Sequence, residues 1–165
     1  MTETIVTKRT FLTSLAALLG GFAIGGCSKK SGAAVETFEV TKSPEQWRAI
    51  LTPAQFAVLR NENTERPRSS PLNEEHRRGT YQCAGCALPV YASAAKFESG
   101  TGWPSFTAPI EDAVKTRSDP GLFGARTEVH CRRCGGHLGH VFDDGPPPTG
   151  ERWCMNGVAM EFVTA

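Results

Sequence analysis

The sequence carries almost no net charge and few aromatic residues. Its formal charge is +1 at neutral pH over 165 residues, and without residues 1–26 the cationic and acidic residues are equal in number. Balanced charge offers no electrostatic footprint for nucleic acid, so we expect no nucleic-acid partner. A hydrophobic content of 39% excludes both a disordered chain and a multi-span membrane protein. The length fits one globular domain.

One apolar run near the N-terminus is too short to serve as a permanent membrane span. It covers Phe11–Ile24 and follows Lys8-Arg9, as in a signal peptide. It closes on Gly25-Gly26-Cys27, a lipoprotein-type cleavage box, and the segment TKRTFL resembles a twin-arginine export signal. We therefore expect a signal peptide over 1–26, a lipid on Cys27, and an exported protein at the periplasmic or cell-envelope side. An ordinary secretory signal with a free Cys27 is the alternative.

The next segment, residues 27–42, has no helical or strand periodicity over its first half and predicts a flexible tether. The folded domain is then expected over 43–165, beginning with two short helices. Ser43 before Pro44 is a helix-start signal, and Thr52-Pro53 repeats it. We expect these helices to cover a sheet and to take no part in chemistry.

Short β-type segments broken by glycine, proline and aspartate fill the rest of the chain. Many short strands with frequent turns predict a mainly β, antiparallel domain and argue against βαβ units. The predicted strands are Thr80–Gln82, Leu88–Tyr91, Ser105–Ile110, Ala125–His130, His140–Phe142 and Ala159–Val163.

Six cysteines divide by context into the signal cysteine, two CxxC pairs and a solitary Cys154. Two CxxC pairs can bring four thiolates to a tetrahedral zinc ion, and we predict a structural zinc site. Crossed disulfides are the alternative in an exported protein. A redox role for either pair is disfavoured because no βαβ context surrounds it. The predicted zinc ligands are Cys83, Cys86, Cys131 and Cys134.

Cys154 is a candidate redox nucleophile. A lone cysteine is often only a buried structural residue, but its neighbours favour reactivity. Arg152 can stabilise a thiolate, and Asn156 can donate hydrogen bonds from the same face if the segment is a strand. His137 and His140 lie in a glycine-rich segment that could fold back and supply a proton donor near neutral pH.

The loop FESGTGWPSF, residues 97–106, is expected to hold Trp103 in a defined orientation. Its glycines and Pro104 favour a tight turn. A tryptophan here either packs into the core or forms an exposed indole wall that receives a small apolar group such as a methyl.

From about Ser43 to Phe162 the chain resembles the methionine-R-sulfoxide reductases of the B type, in an exported lipoprotein form. The resemblance rests on LTPAQFAVLRNENTERPRSSPLN, YQCAGC, FESGTGWPSF and CRRCGGHLGHVFDDGPPPTGERWCMNG, in this order. It implies two antiparallel sheets in a sandwich- or barrel-like arrangement, a structural zinc on the CxxC cysteines and a catalytic Cys154.

The resemblance also implies a reaction. The Cys154 thiolate would attack the sulfur of methionine-R-sulfoxide in proteins, release methionine and become a sulfenic acid. Trp103 would contact the substrate methyl, with Phe142 close to the pocket. The groups expected to bind and protonate the sulfoxide oxygen are His137, His140 and Asn156, with Arg152 nearby.

Two positions depart from the pattern of this family. Thr101 stands where many members carry a cysteine that resolves the sulfenic acid, and Gly157 stands where a serine is common. Because Thr101 replaces the resolving cysteine, we predict that an external thiol, such as a thioredoxin-like protein, reduces Cys154 directly. We also expect a monomer. We expect the protein to contact the membrane only through the lipid anchor on Cys27. The alternatives are a zinc-ribbon-like binding module with a merely packed Cys154, and a thiol peroxidase.

Overall fold

The computed structural model describes residues 36–121 and 124–165. The predicted signal peptide, Cys27 and the first part of the predicted tether lie outside these residues. Within them, no helix combines the length and the apolar character needed to cross a membrane.

Both helices begin at the predicted caps. Helix α1 runs from Pro44 to Ile50 and helix α2 from Pro53 to Asn61. In each helix, the hydroxyl of the capping residue accepts a hydrogen bond from the backbone N–H of the third helical residue. The side chain of that residue, a glutamine, accepts a hydrogen bond from the backbone N–H of the capping residue. This reciprocal capping, followed by proline, stabilises the first turn of each helix.

Nine strands in the described residues form two antiparallel sheets, which confirms the predicted fold class. The strands are β1 (Gly79–Cys83), β2 (Pro89–Ala92), β3 (Lys96–Phe97), β4 (Ser105–Phe106), β5 (Val114–Gly121), β6 (Gly124–Cys131), β7 (His137–Phe142), β8 (Arg152–Met155) and β9 (Met160–Thr164). Three short 3₁₀ helices are also present: Pro71–Glu74 before β1, Ser93–Ala95 between β2 and β3, and Gly157–Ala159 between β8 and β9.

The sheets meet through a cluster of aromatic rings. One sheet has the strand order β2-β1-β9, and the other has the order β3-β4-β8-β7-β6-β5. Tyr91 of β2 stacks on Phe106 of β4 with ring centroids 4.3 Å apart, and Tyr81 of β1 meets Phe106 edge-on at 4.9 Å. All three side chains are fully buried. The core therefore lies where β1 and β2 face β4, and aromatic contact there holds the sheets together.

Strand prediction was incomplete at several places: the two-residue β3 was missed, and β7 begins at His137 rather than at His140. Strand β5 was missed because its sequence is polar; it pairs with β6 alone at the sheet edge, where apolar alternation is not required. Strand β8, which carries Cys154, was considered only as a possibility. The strand predicted at Ser105–Ile110 ends at Phe106, the last residue of β4 that pairs with β3 and β8.

Residues at the end of the predicted tether contact the domain. The Glu36 carboxylate lies 2.8 Å from Lys115 Nζ and 3.0 Å from His130 Nε2. The backbone N–H of Val40 donates to the carbonyl of Arg133 at 3.0 Å. Contacts with the sheet thus begin upstream of the boundary predicted at Ser43.

Candidate functional site

The four CxxC cysteines converge on one point. Their sulfur atoms all lie within 4.8 Å of one another, and two pairs, Cys86–Cys131 at 3.5 Å and Cys83–Cys134 at 3.7 Å, join one CxxC segment to the other. A tetrahedral zinc ion holds neighbouring sulfurs about 3.8 Å apart, whereas a disulfide bond brings them to about 2 Å. The group therefore fits a metal ion and is consistent with zinc.

Both CxxC segments turn in the same way. The residue after the second cysteine has a left-handed backbone, Ala87 with φ 56° and Gly135 with φ 65°. Each donates its N–H to the carbonyl of the first cysteine, Cys83 and Cys131 respectively. This conformation is uncommon for alanine, so the turn at Ala87 is maintained by its surroundings. The repeated turn gives two matched pairs of thiols.

The helices pack over this cysteine group. The guanidinium of Arg60 on α2 donates to the carbonyl of Cys134 at 3.1 and 3.2 Å. The same guanidinium lies over the buried ring of Trp47 on α1, 4.7 Å from its centroid. The helices thus cover the second CxxC segment, and their polar contacts there are with its backbone.

Cys154 lies in the middle of the six-stranded sheet. Strand β8 runs between β4 and β7, which place Ser105 and His140 directly opposite Cys154. Directly opposite residues of antiparallel strands share a face. The hydroxyl of Thr101 lies 4.0 Å from the Cys154 sulfur. The reactive thiol predicted from the sequence is therefore surrounded by hydroxyl and imidazole groups.

A small cavity of about 140 Å³ is lined by Cys154. The indole of Trp103 borders it, held by a hydrogen bond from Nε1 to the carbonyl of Glu65 at 3.1 Å. Five of the predicted site residues share its lining, while His137 and Arg152 stand beside lining residues. The full lining is Thr64, Trp103, Arg126, Gly139, His140, Phe142, Cys154, Met155 and Asn156.

A β-bulge brings His137 and His140 to the same face of β7. Residues three apart on a regular strand point to opposite faces. Here Val129 pairs with Gly139 and His130 pairs with His137, so Leu138 is an extra residue. The extra residue restores a common direction, and the imidazole centroids lie 5.3 Å apart.

Each imidazole of this pair contacts an acidic residue. His137 Nδ1 lies 2.8 Å from Glu128 Oε1, and His140 Nε2 lies 2.8 Å from Asp119 Oδ2. Burial opposes ionisation of Glu128, but contacts with His137 and Arg117 outweigh it and keep the pKa of Glu128 below its usual value. Burial lowers the pKa of His140 despite its contact with Asp119. Nε2 of His137 is buried and has no hydrogen-bond partner among the described residues.

Arg152 contacts both an acid and an aromatic ring. Its guanidinium donates two hydrogen bonds to Asp144, at 2.8 and 2.9 Å, and lies 4.4 Å from the centroid of Phe142. Burial raises the pKa of the Cys154 thiol, and the charge of Arg152 offsets part of this increase. Arg152 thus acts in the predicted direction, although desolvation is the larger effect.

Asn156 uses its side-chain amide to join three segments. Its Oδ1 accepts from the backbone N–H of Glu65 at 2.9 Å, and its Nδ2 donates to the carbonyl of Leu138 at 3.0 Å. The amide therefore holds the end of β8 against β7 and against the loop that precedes the first 3₁₀ helix. One Nδ2 hydrogen remains for another acceptor.

Comparison with known proteins agrees with this arrangement. The model of the SelR domain family matches residues 51–164. The peptide methionine sulfoxide reductase MsrB of Methanosarcina barkeri is 52% identical over 126 residues, which cover 76% of this chain and 89% of that protein. MsrB of Bradyrhizobium diazoefficiens is 54% identical over 125 residues, covering 75% of this chain and 90% of the relative.

The chain belongs to the MsrB family of peptide methionine sulfoxide reductases. The predicted enzyme class, an oxidoreductase, is confirmed by this membership, which disfavours a binding module without catalysis. In this MsrB chain the cavity beside Cys154 is accordingly the candidate active site.

Three acidic residues of the MsrB site were missed in the sequence. Glu128 holds His137, Asp119 holds His140, and Glu65 holds Trp103 and Asn156 through its backbone. Glu128 lies inside a predicted strand, and a carboxylate that is buried in a strand requires a partner. Its position therefore offered a signal that it contacts another polar group. Glu65 and Asp119 offered none, because their partners are distant in sequence.

Proposed function

We propose that the protein reduces methionine-R-sulfoxide in oxidised proteins to methionine, with Cys154 as the nucleophile. The observation that carries the proposal is the small cavity that Cys154 and Trp103 line together. A thioether methyl is apolar and suits contact with the indole and with Phe142. The MsrB relatives support the same substrate class.

In the proposed reaction, the Cys154 thiolate attacks the sulfoxide sulfur. The sulfur–oxygen bond of the substrate breaks, and its oxygen, once protonated, ends on Cys154 as a sulfenic acid. The sulfoxide sulfur gains two electrons and becomes the thioether of methionine, while the sulfur of Cys154 loses two. No oxidant or reductant beyond substrate and thiol enters this step.

His137 is the group that we assign as proton donor to the sulfoxide oxygen. Glu128 holds its Nδ1, and Nε2 lacks a partner among the described residues. His140 borders the cavity itself, but its Nε2 is already held by Asp119. We therefore expect His137→Gln to lower kcat by about 10²-fold and His140→Gln to lower it less. Equal or reversed losses would contradict this assignment.

The cycle is proposed to close with an external dithiol of thioredoxin type. The two electrons returned to Cys154 release the sulfenic oxygen as water and leave the dithiol as a disulfide. Thr101, at the position expected for a resolving cysteine, has its hydroxyl 4.0 Å from the Cys154 sulfur. The other four cysteines of the described residues form the metal-type group. The wild-type protein should therefore form no internal disulfide with Cys154, which mass spectrometry after turnover can check.

We assign a structural zinc ion to Cys83, Cys86, Cys131 and Cys134. Their crossed spacing and the repeated turns after Cys86 and Cys134 suit a tetrahedral ion. When bound, zinc would join the loop between β1 and β2 to the loop between β6 and β7 and stabilise the fold. The site has four protein thiols and leaves no position for substrate.

The decisive experiment measures turnover of separated R and S sulfoxides by the wild type and by Cys154→Ser. The wild type should reduce only the R form, and the variant should lose all of this activity while it keeps its zinc and its melting temperature. Substantial R-sulfoxide turnover by Cys154→Ser would overturn the proposal. A thiol peroxidase would instead consume peroxide faster than methionine sulfoxide.

Export and lipid attachment are proposed from the sequence alone. The signal-like segment over 1–26 and Cys27 suit a lipid-anchored monomer at the periplasmic or cell-envelope side. Twin-arginine export carries folded proteins, so zinc could bind in the cytoplasm first. We expect a fatty-acid probe to label the full chain, Cys27→Ala to escape labelling, and a block of that pathway to stop export. Unchanged export and zinc content under the block would exclude this route.

A further inference from the structure

Three hydroxyl groups form a connected chain beside the sulfur of Cys154. Ser99 Oγ lies 2.8 Å from Thr101 Oγ1 and 2.7 Å from Ser105 Oγ. Thr101 Oγ1 lies 4.0 Å from the Cys154 sulfur, and Ser105 is paired directly opposite Cys154 on the neighbouring strand. At the other end, Ser105 Oγ donates to the carbonyl of Trp103 at 3.2 Å. We call Ser99, Thr101 and Ser105 the hydroxyl chain.

The direction of the hydroxyl chain depends on whether Cys154 carries its proton. Each hydroxyl has one hydrogen to donate and can also accept. Beside a thiol, the hydrogens can point away from sulfur, from Thr101 to Ser99, on to Ser105 and finally to the Trp103 carbonyl. Beside a thiolate, Thr101 can turn its hydrogen to sulfur and accept from Ser99, while Ser105 turns its hydrogen to Ser99. Only hydroxyl rotations are required.

The charged and titratable groups that face Cys154 cannot turn in this way, because each is held by another partner. Arg152 is held on β8 by Asp144, and on β7 His137 is held through Nδ1 by Glu128 and His140 by Asp119. Arg126 on β6 also contacts Asp119, and Tyr91 on β2 donates to the sulfur of Met155 at 3.1 Å. Strand β4 contributes only Ser105 opposite Cys154. The hydroxyl chain is thus the adjustable part of the surroundings of this sulfur.

We propose that the hydroxyl chain activates Cys154 by reversing its direction and donating to the sulfur when the thiol loses its proton. Thr101, which touches the reacting sulfur, is then a catalytic residue, and Ser99 is a positioning residue that acts through it. The inference rests on the proposed function only in taking Cys154 as the reacting sulfur. Hydrogen bonds to an anion stabilise it and lower the pKa of its acid.

The test measures alkylation of Cys154 by iodoacetamide as a function of pH, read by mass spectrometry of the peptide that contains it. We expect Thr101→Val to raise the midpoint of this profile by about one pH unit, because it removes a hydrogen bond to a charged group. Thr101→Ser, which restores a hydroxyl, should return the midpoint to the wild-type value. Ser99→Ala should shift it in the same direction by less.

The matched control is Thr107→Val, because the Thr107 hydroxyl bonds the carbonyl of Ala95. Unchanged midpoints in both Thr101→Val and Ser99→Ala would overturn the proposal, as would failure of Thr101→Ser to restore the midpoint. If Thr101→Val does not fold, the Ser99→Ala profile decides. Alkylation does not depend on sulfoxide turnover. If the wild type reduced no sulfoxide but Thr101→Val still raised the alkylation midpoint, the proposed function would be refuted and this inference would stand.

Discussion

The indole of Trp103 is held by the backbone of Glu65, whose carbonyl accepts from Nε1 at 3.1 Å. The same residue joins the opposite side of the site. Its backbone N–H donates to Asn156, and its carboxylate accepts from the N–H groups of Gly157 at 2.6 Å and Val158 at 2.9 Å. A single residue of the loop after α2 thus fixes the indole relative to the end of the strand that carries Cys154.

Loss of the Glu65 charge should loosen this connection. Burial raises the pKa of Glu65, and the two backbone N–H groups oppose this increase by stabilising the carboxylate. Glu65→Gln weakens both bonds, so we expect a loss of about 1–2 kcal/mol in the free energy of unfolding and a raised KM with a smaller change in kcat. Denaturant unfolding and steady-state kinetics measure these effects. Glu161→Gln, at an exposed position of β9, is the control. Equal losses of unfolding free energy in the two variants would refute the role of Glu65.

Removal of the Glu128 charge should impair proton donation by His137. The carboxylate contacts His137 Nδ1 and also Arg117, so it stabilises the imidazolium from which His137 donates its proton. We expect Glu128→Gln to reduce kcat by about 10²-fold, with a modest change in KM. Glu111→Gln, at an exposed position, should keep wild-type kinetics. Wild-type kcat in Glu128→Gln would show that His137 acts without this partner.

Arg152 and Asp144 should shift the pH dependence of Cys154 in opposite directions. Burial raises the pKa of this thiol and Arg152 lowers it, so Arg152→Met should raise the pKa further. Because the thiolate fraction below the pKa falls tenfold per unit, the acid limb of kcat/KM should move up by about one pH unit. Asp144→Asn removes the charge that holds Arg152 and should move the limb down. Shifts of the same sign in both variants would contradict an electrostatic cause.

A cysteine at position 101 should resolve the sulfenic acid internally. The Thr101 hydroxyl lies 4.0 Å from the Cys154 sulfur, and small rotations bring two sulfurs to bonding distance. After one turnover without reductant, Thr101→Cys should contain a disulfide between positions 101 and 154, detectable by mass spectrometry. The wild type and Thr116→Cys on β5 should contain none with Cys154. Absence of the disulfide in Thr101→Cys would show that the loop cannot make this approach.

Loss of the metal ligands should unfold the protein. Binding of a structural zinc ion contributes directly to folding. We expect Cys83→Ser, or treatment with a strong chelator, to release zinc and to lower Tm by more than about 10 °C. Cys154→Ser should retain one zinc ion per chain by elemental analysis. A Cys83→Ser variant with wild-type Tm would exclude a structural zinc ion at this site.

Local patterns in the sequence were sufficient for the helices and for the types of reactive group. Ser43 and Thr52, each followed by proline, predicted both helix starts, because capping depends on residues within one turn. Two CxxC pairs predicted four converging thiols, because the spacing places two sulfurs together in one tight turn. Frequent turn residues predicted an antiparallel β domain.

The sequence by itself determined which groups can react, and the tertiary structure decided which of them meet. The bulge at Leu138 turns His137 and His140 to one face, and the order β4-β8-β7 places Ser105 and His140 beside Cys154. Glu128, Asp119 and Glu65 enter the site through contacts across strands and loops. Strand order, register and bulges depend on packing between segments distant in sequence, so local patterns do not specify them. Burial of the Cys154 thiol depends on the same packing. Burial raises the pKa of this thiol by more than the charge of Arg152 lowers it.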